Sequence, residues 1–269
     1  MAERYESRNV VSDKEIERVD QDKCISSYKR EKIEKESKKH WDLFYKRNST
    51  NFFKDRHWCG REFPELLRTS VTEIDSSHEV TLLECGCGVG NLMFPLIQEN
   101  SSLFVYACDI SHVAVELVQK NEAYIDTKCN AFQCDLTVAG SLKKHIKEKV
   151  TMATLVFVLS AISPDKMSTV VQNISGVLAP GGKILFRDYG VFDHAMMQFG
   201  QGHKIDTNYY FRQDWTRVYY FSLEDTEKIF TSNGFEVCEN KFVKRKTINV
   251  KEGVDVDRIF VQGKFTLLS

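Results

Sequence analysis

The sequence has almost no net charge, no long apolar run, no paired cysteines and no internal repeat. Lys and Arg total 37 against 38 Asp and Glu, a formal charge of −1. No global field therefore draws a polyanion, and any basic surface must be local. The longest apolar run, around Leu155 to Leu159, is far too short to cross a bilayer. Met1 is followed by Ala2, Glu3 and Arg4 without the apolar stretch of a secretory leader. A soluble, unsecreted protein with no membrane partner is expected, in the cytoplasm and additionally in the nucleus. Eight cysteines are scattered without a C-x-x-C pair, which fits free thiols in a reducing compartment and argues against a structural metal. The 269 residues, 42% of them hydrophobic, suffice for one large α/β domain but not comfortably for two catalytic ones.

Residues 3–39 are dense in Glu, Lys and Arg and poor in large apolar side chains, so they read as a solvated helix or partly disordered arm. The next stretch, 41–58, abruptly mixes six aromatics with basic side chains, more than a plain linker needs. Residues 1–60 are accordingly set apart as a charged arm with an aromatic-basic segment, and 61–269 as the main domain. From Val80 onward short β-rich runs alternate with helical patterns, as in a parallel sheet covered by helices. Strands are expected at 80–84, 103–109, 130–135, 153–159 and 183–188. Ser111 is positioned to cap one helix, and another over 165–178 is stopped by Pro180-Gly181-Gly182. A hairpin at 209–212 and 217–221, a helix at 223–232 and an antiparallel pair at 235–248 and 257–268 complete the chain.

The most specific motif is Leu82-Leu83-Glu84-Cys85-Gly86-Cys87-Gly88-Val89-Gly90-Asn91, a buried strand opening into a glycine turn and then a helix. Glycines at 86, 88 and 90 let backbone approach a ligand where a Cβ would collide. Their G-x-G-x-G spacing departs from the G-x-G-x-x-G of pyrophosphate-binding dehydrogenases, which disfavours a nicotinamide oxidoreductase. Glu84, at the strand end, suits a cationic cofactor such as S-adenosylmethionine, which leaves as S-adenosylhomocysteine. Asp109 ends the second strand, where a carboxylate accepts ribose hydroxyls. Asp135 ends the third, within reach of an adenine amine, with Leu136 and Val156 against the adenine faces. Each acid alone has the plainer reading of capping the next helix. Three successive acidic strand ends beside a glycine turn favour the cofactor.

With these residues the chain resembles the class I methyltransferases, and more closely the family that forms N3-methylcytidine in transfer RNA. The resemblance runs from Trp41 to Phe265 through Trp41-Asp42-Leu43-Phe44-Tyr45, Asn51-Phe52-Phe53-Lys54-Asp55-Arg56-His57-Trp58, the glycine motif, Phe157-Val158-Leu159-Ser160-Ala161 and Phe186-Arg187-Asp188-Tyr189-Gly190. It is strongest to the branch called methyltransferase-like protein 6. The resemblance implies a Rossmann-like fold: a mostly parallel seven-stranded sheet with an antiparallel edge strand, an N-terminal helical and basic extension and an inserted hairpin. It also implies Trp41 and Tyr45 closing over the cofactor, and a serine transfer RNA methylated on the 5′ side of its anticodon loop with seryl-tRNA synthetase as partner. Three positions depart from the family pattern: Cys85 for alanine, Thr151 for aspartate and Trp215 for glycine. Trp215 marks either a differently built turn or an indole recruited to stack on RNA.

Cytosine N3 carries a lone pair in its neutral form, so placement matters more than a strong base. On this reading Asp188 accepts the cytosine amine, Tyr189 fences the base, and Arg56 and His57 hold the flanking phosphate or sugar. The plainer alternatives are an Asp188 to arginine ion pair and, for His57 and His194, surface or satisfied histidines. Residues 28–61 hold eleven Lys or Arg against five Asp or Glu, and 241–264 hold seven against three. Both are candidate phosphate-contacting surfaces, DNA not being the expected partner. A protein or small-molecule acceptor, or a non-catalytic RNA-binding adaptor, are the competing functions.

Overall fold

The computed structural model describes residues 13–67, 80–249 and 254–268. Among the described residues, the α-helices α1 (Asp13–Gln21), α2 (Ser27–Lys35), α3 (Ser37–Asn48) and α4 (Trp58–Glu62) precede the sheet. The apolar runs then form β1 (Val80–Cys85), β2 (Leu103–Asp109), β3 (Cys129–Gln133), β4 (Val150–Val156) and β5 (Leu178–Tyr189), all parallel. Between them lie α5 (Met93–Glu99), α6 (His112–Gln119) and α7 (Pro164–Ser175). A short helix, α8 (His194–Met197), leads to a small antiparallel sheet of β6 (Lys204–Asp206), β7 (Tyr209–Phe211) and β8 (Arg217–Tyr219). After α9 (Leu223–Thr231) come β9 (Phe235–Asn249) and β10 (Val254–Leu267).

The large sheet has the order β3-β2-β1-β4-β5-β10-β9, with β10 antiparallel to both β5 and β9. This is the Rossmann-like, seven-stranded, mostly parallel arrangement expected. Strand order reverses between β1 and β4, opening a crevice at their carboxyl ends where open α/β sheets bind ligands. Apolar faces pack on both sides: one cluster includes Leu83, Leu155, Ile184, Phe186 and Phe265, the other Leu82, Val105, Met152, Val156 and Leu185. Ser111 caps α6 through its side chain, as expected. Thr151 seats β4 against β1, donating to the Thr81 carbonyl at 2.7 Å and accepting its N–H at 3.1 Å. No helix of the described residues is long and apolar enough to cross a membrane.

Several expected boundaries move. β3 ends at Gln133, so Asp135 lies on the loop that follows. β4 starts at Val150 and stops at Val156, leaving 157–159 in the next turn. α7 ends at Ser175, and Pro180-Gly181-Gly182 lies inside β5 at an irregular register instead of stopping the helix. The inserted hairpin carries a third strand, β6.

The charged arm also behaves differently. Residues 3–12 lie outside the described residues, but α2 is docked: Ile33 is buried with Ile205, Tyr209 and Phe211, and the Ile25 N–H donates to the Lys204 carbonyl at 2.8 Å. Arg217, 6% exposed, pairs with Glu34 and donates to Ser37 Oγ at 2.9 Å. The small sheet supplies the apolar surface that composition alone could not provide for this helix.

Candidate active site

The floor of the site grows from strand ends. Gly86, Gly88 and Gly90 follow β1 with φ of +64°, +54° and +89°, a region that Cβ-bearing residues adopt at a cost. Space forbids a side chain as well: a Cβ on Gly86 would lie 2.5 Å from Val158, and one on Gly88 2.8 Å from the Tyr45 hydroxyl. Asp109, at the end of β2, binds this turn: its Oδ2 accepts the Gly88 N–H and its Oδ1 the Ser111 N–H, each at 2.9 Å. Burial raises its pKa to about 6. Glu84 is buried at the end of β1, and its Oε2 has no hydrogen-bond partner among the described residues. Burial pushes its pKa to about 8, only partly offset by the positive charge of Arg56. A buried acceptor left unmade is costly and calls for a donor from a ligand.

A cleft runs over these groups in two connected halves that share Trp41, Tyr45, Gly86, Phe157 and Ala161. One half is lined by Asp109, Asp135, Leu136, Val158 and Ile162. The other is lined by Glu84, Asn91, Arg56, Tyr189 and Arg212. α3 forms its roof, with Trp41 and Tyr45 stacked at 6.0 Å and Asp42 accepting the Ser111 hydroxyl at 2.6 Å. Asp135 is held by Thr137, which donates its N–H and hydroxyl to Oδ1. A carboxylate lining the cleft, an apolar wall and a buried carboxylate oxygen with no partner among the described residues fit the ribose, adenine and amino group of S-adenosylmethionine.

Three expectations change at this point. Val156 is 3% exposed and packs in the core; β4 ends there, and beyond the positive φ of Phe157 it is Phe157 and Val158 that line the cleft instead. His57 does not line the cleft: its side chain is 63% exposed and lies 3.3 Å from Glu99. Asp188 is fully buried behind the cleft wall, where Oδ2 accepts the Ser160 N–H at 2.9 Å and Oδ1 the Tyr189 N–H at 3.0 Å. Its pKa is raised to about 6 by burial, with Arg212 the nearby positive charge. It therefore reaches a substrate through Ser160 and Tyr189, both of which line the cleft. Arg56 does line the cleft, stacked 5.3 Å from the Phe157 ring and donating to the Val156 carbonyl at 2.7 Å.

The structure adds residues that pattern reading passed over. Phe157 has φ +59°, a strained backbone that turns its ring into both halves of the cleft. Asn91 donates to the Phe53 carbonyl and to Asp55, tying the aromatic-basic segment to the glycine turn; its place in the motif was the available signal. Arg212 lies 5.6 Å from the Tyr189 ring, and no sequence spacing pointed to it. The basic segment of β9 and β10 is largely occupied within the fold: Lys241 pairs with Glu239, Arg245 with Glu62, Lys246 with Asp255, Arg258 with Asp193 and Lys264 with Glu65. Residues 250–253 of that segment lie outside the described residues. No group of three or more His, Cys, Asp or Glu among the described residues is arranged to hold a metal.

Comparison with known proteins is consistent with this geometry. Residues 83–184 match a family described as a methyltransferase domain. The chain is 48% identical to the human tRNA N(3)-cytidine methyltransferase METTL6 over 257 residues, covering 95% of this chain and 89% of that protein. It is 50% identical to the Rattus norvegicus METTL6, with 95% and 88% covered, and 37% identical to METTL2 of Xenopus tropicalis, with 88% and 80% covered. Among solved structures, a SAM-dependent methyltransferase from Anabaena variabilis superposes with TM-score 0.60 at 15% identity, over 85% of this chain and 94% of that one. The N-methyltransferase NodS from Bradyrhizobium japonicum, in complex with S-adenosyl-L-homocysteine, superposes with TM-score 0.54 at 17% identity, over 86% and 100%.

Proposed function

The chain belongs to the tRNA N(3)-cytidine methyltransferase family, and we propose that it transfers a methyl group from S-adenosylmethionine to N3 of a cytidine in transfer RNA. The observation that carries this reading is Glu84 Oε2, which has no hydrogen-bond partner among the described residues and lines the half with the arginines and aromatics, joined to the half lined by Asp109 and Asp135. S-adenosylmethionine, when bound, supplies an electrophilic methyl on a sulfonium. Glu84 receives its amino group, Asp109 its ribose hydroxyls and Asp135 its adenine amine. Leu136 and Val158 flank the adenine, and Trp41 and Tyr45 close the cleft above it. Gly86, Gly88 and Gly90 keep the backbone clear.

The neutral N3 lone pair needs no base, so the work of the acceptor half is placement. In a duplex N3 is engaged, so the target is a loop nucleotide turned out into the cleft. Tyr189 and Phe157, 5.0 Å apart, fence the base. Arg56 and Arg212 face its backbone. Asp188 is a positioning residue that fixes the Ser160 and Tyr189 main chain.

The finer reading is a serine transfer RNA, methylated on the 5′ side of the anticodon loop in the cytoplasm and nucleus, with seryl-tRNA synthetase presenting it. The commitment of the β9 and β10 cations to ion pairs within the fold supports a need for such a partner. Methyl transfer to purified transfer RNAs, with and without the synthetase, tests this. The reading expects serine transfer RNA to be the best acceptor and its rate to rise with the synthetase. Equal rates for unrelated transfer RNAs, unaffected by the synthetase, would remove the finer reading and leave the reaction.

A further inference from the structure

We infer that Trp215, with Lys32 and Arg47, forms a subsite for a second nucleotide of the RNA acceptor, next to the one whose base enters the cleft. This rests on the proposed RNA substrate. Trp215 stands in the turn between β7 and β8 with φ +66°, a backbone conformation that a bulky side chain rarely adopts and glycine adopts freely. The turn is closed by backbone bonds from Arg212 N–H to the Thr216 carbonyl and from Trp215 N–H to the Arg212 carbonyl. The strain is thus imposed by the fold, and the indole it carries is 42% exposed. A large apolar ring held half in water on a strained turn is not there to fill the core.

The ring is orientated by its neighbours. It stacks on Phe211 at 5.5 Å and on His40 at 6.1 Å, with interplanar angles of 24° and 26°. His40 is itself buried, which lowers its pKa. Lys29 Nζ lies 5.7 Å from the indole. Between this turn and α3 runs a groove lined by Lys32, Lys39, Leu43, Arg47, Asp214 and Trp215, with Phe44 on its wall. Leu43 is also exposed, so the groove offers two apolar surfaces to a base. Phe44 and Asp214 line the acceptor half of the cleft too, which makes the two spaces continuous.

Charge in the groove favours a phosphate. Its two acids are committed: Glu36 faces Lys39 at 3.7 Å and His40 at 3.5 Å, and Asp214 accepts the Thr216 N–H and hydroxyl. Neither Lys32 nor Arg47 pairs with a described acid, so both remain for a sugar-phosphate backbone. Aromatic packing plus nearby cations is how single-stranded nucleic acid is held without reading its sequence. The subsite therefore tethers the loop by a neighbouring nucleotide while the cleft selects the cytidine.

The test uses the full-length enzyme, a labelled anticodon stem-loop and intact transfer RNA. Trp215→Gly removes the ring and suits the backbone, and the exposed double variant Lys32→Ala, Arg47→Ala leaves the turn alone. Both are expected to weaken stem-loop binding and raise the RNA KM by about tenfold, with kcat and S-adenosylhomocysteine affinity within about twofold of wild type. The double variant should also show a shallower salt dependence of binding, by about one to two in logarithmic slope. Wild-type tryptophan emission should change on adding stem-loop, and this change should shrink in Trp215→Gly. If wild type methylates transfer RNA and both variants bind and turn over normally, this inference falls and the proposed function stands. If wild type neither binds nor methylates any RNA, both fall.

Discussion

Glu84→Gln probes the proposed binding of the cofactor's amino group through a proton. Glu84 is buried, its pKa is about 8, and one of its oxygens lacks a partner. A cationic amino group binds the ionised carboxylate, and at pH 6 only about 1% of the group is ionised against roughly 10% at pH 7. An amino group of ordinary pKa, about 8, stays protonated over that interval. Affinity for S-adenosylhomocysteine should therefore rise about eightfold from pH 6 to pH 7, with close to one proton released per ligand bound at pH 6.5. Asp109, at about 6, adds at most about a factor of two. In Glu84→Gln the steep rise and the proton release should vanish, and affinity near neutral pH should fall roughly tenfold with the loss of a charge-assisted bond. Calorimetry in two buffers of different ionisation enthalpy reads both.

The same group leaves a signature on the unliganded protein. Its folded pKa lies above the ordinary carboxylate value, so between about pH 4.5 and 8 the folded state holds a proton that the unfolded chain has lost. Its contribution to stability is then lost as pH rises through that window. The stability of Glu84→Gln relative to wild type should improve by on the order of 1 kcal/mol per pH unit across it. A wild-type affinity independent of pH between 6 and 7, or equal proton release in both proteins, would refute the reasoning.

Gly88→Ala, at positive φ and against the Tyr45 hydroxyl, should lose at least about tenfold in cofactor affinity while keeping the wild-type circular dichroism spectrum; unchanged affinity would show that the turn does not approach the ligand. Asp188→Asn places an amide donor against the N–H groups of Ser160 or Tyr189, so kcat should drop by about tenfold or more with S-adenosylhomocysteine affinity held, and near-normal turnover would sink its positioning role. Asp193 is fully buried, pairs with Arg258 at 2.9 Å and accepts the Ile259 N–H at 2.8 Å. Asp193→Ala leaves that arginine unpaired and should cost about 3–5 kcal/mol in urea unfolding; a loss under about 1 kcal/mol would contradict the assignment.

The parallel sheet was readable because its strands are short apolar runs bounded by glycine or acidic residues. β2 and the Ser111 cap fall where expected. β4 is less legible: 155–159 is uniformly apolar, and its end is set by the positive φ of Phe157 and by the bond from its N–H to the Arg187 carbonyl. That one break exchanges Val156 for Val158 at the cofactor wall. Arg56 and His57 are adjacent in sequence, but only Arg56 is drawn under the Phe157 ring and the Val156 carbonyl. Asp188 sits at a strand end like Glu84 and Asp109, and only the partners of its two oxygens reveal that it faces the protein. The docking of α2 depends on Ile205, Tyr209 and Phe211, more than 170 residues away, which local composition cannot convey. Trp215 was visible as an oddity in a turn, and the structure supplies its strained backbone and its groove.

The most direct measurement is nucleoside analysis of total transfer RNA after incubation with labelled S-adenosylmethionine and the purified chain. The account predicts that the label appears in N3-methylcytidine. Label in a different nucleoside, or none in RNA while S-adenosylhomocysteine binds with the Glu84-dependent proton release, would contradict it.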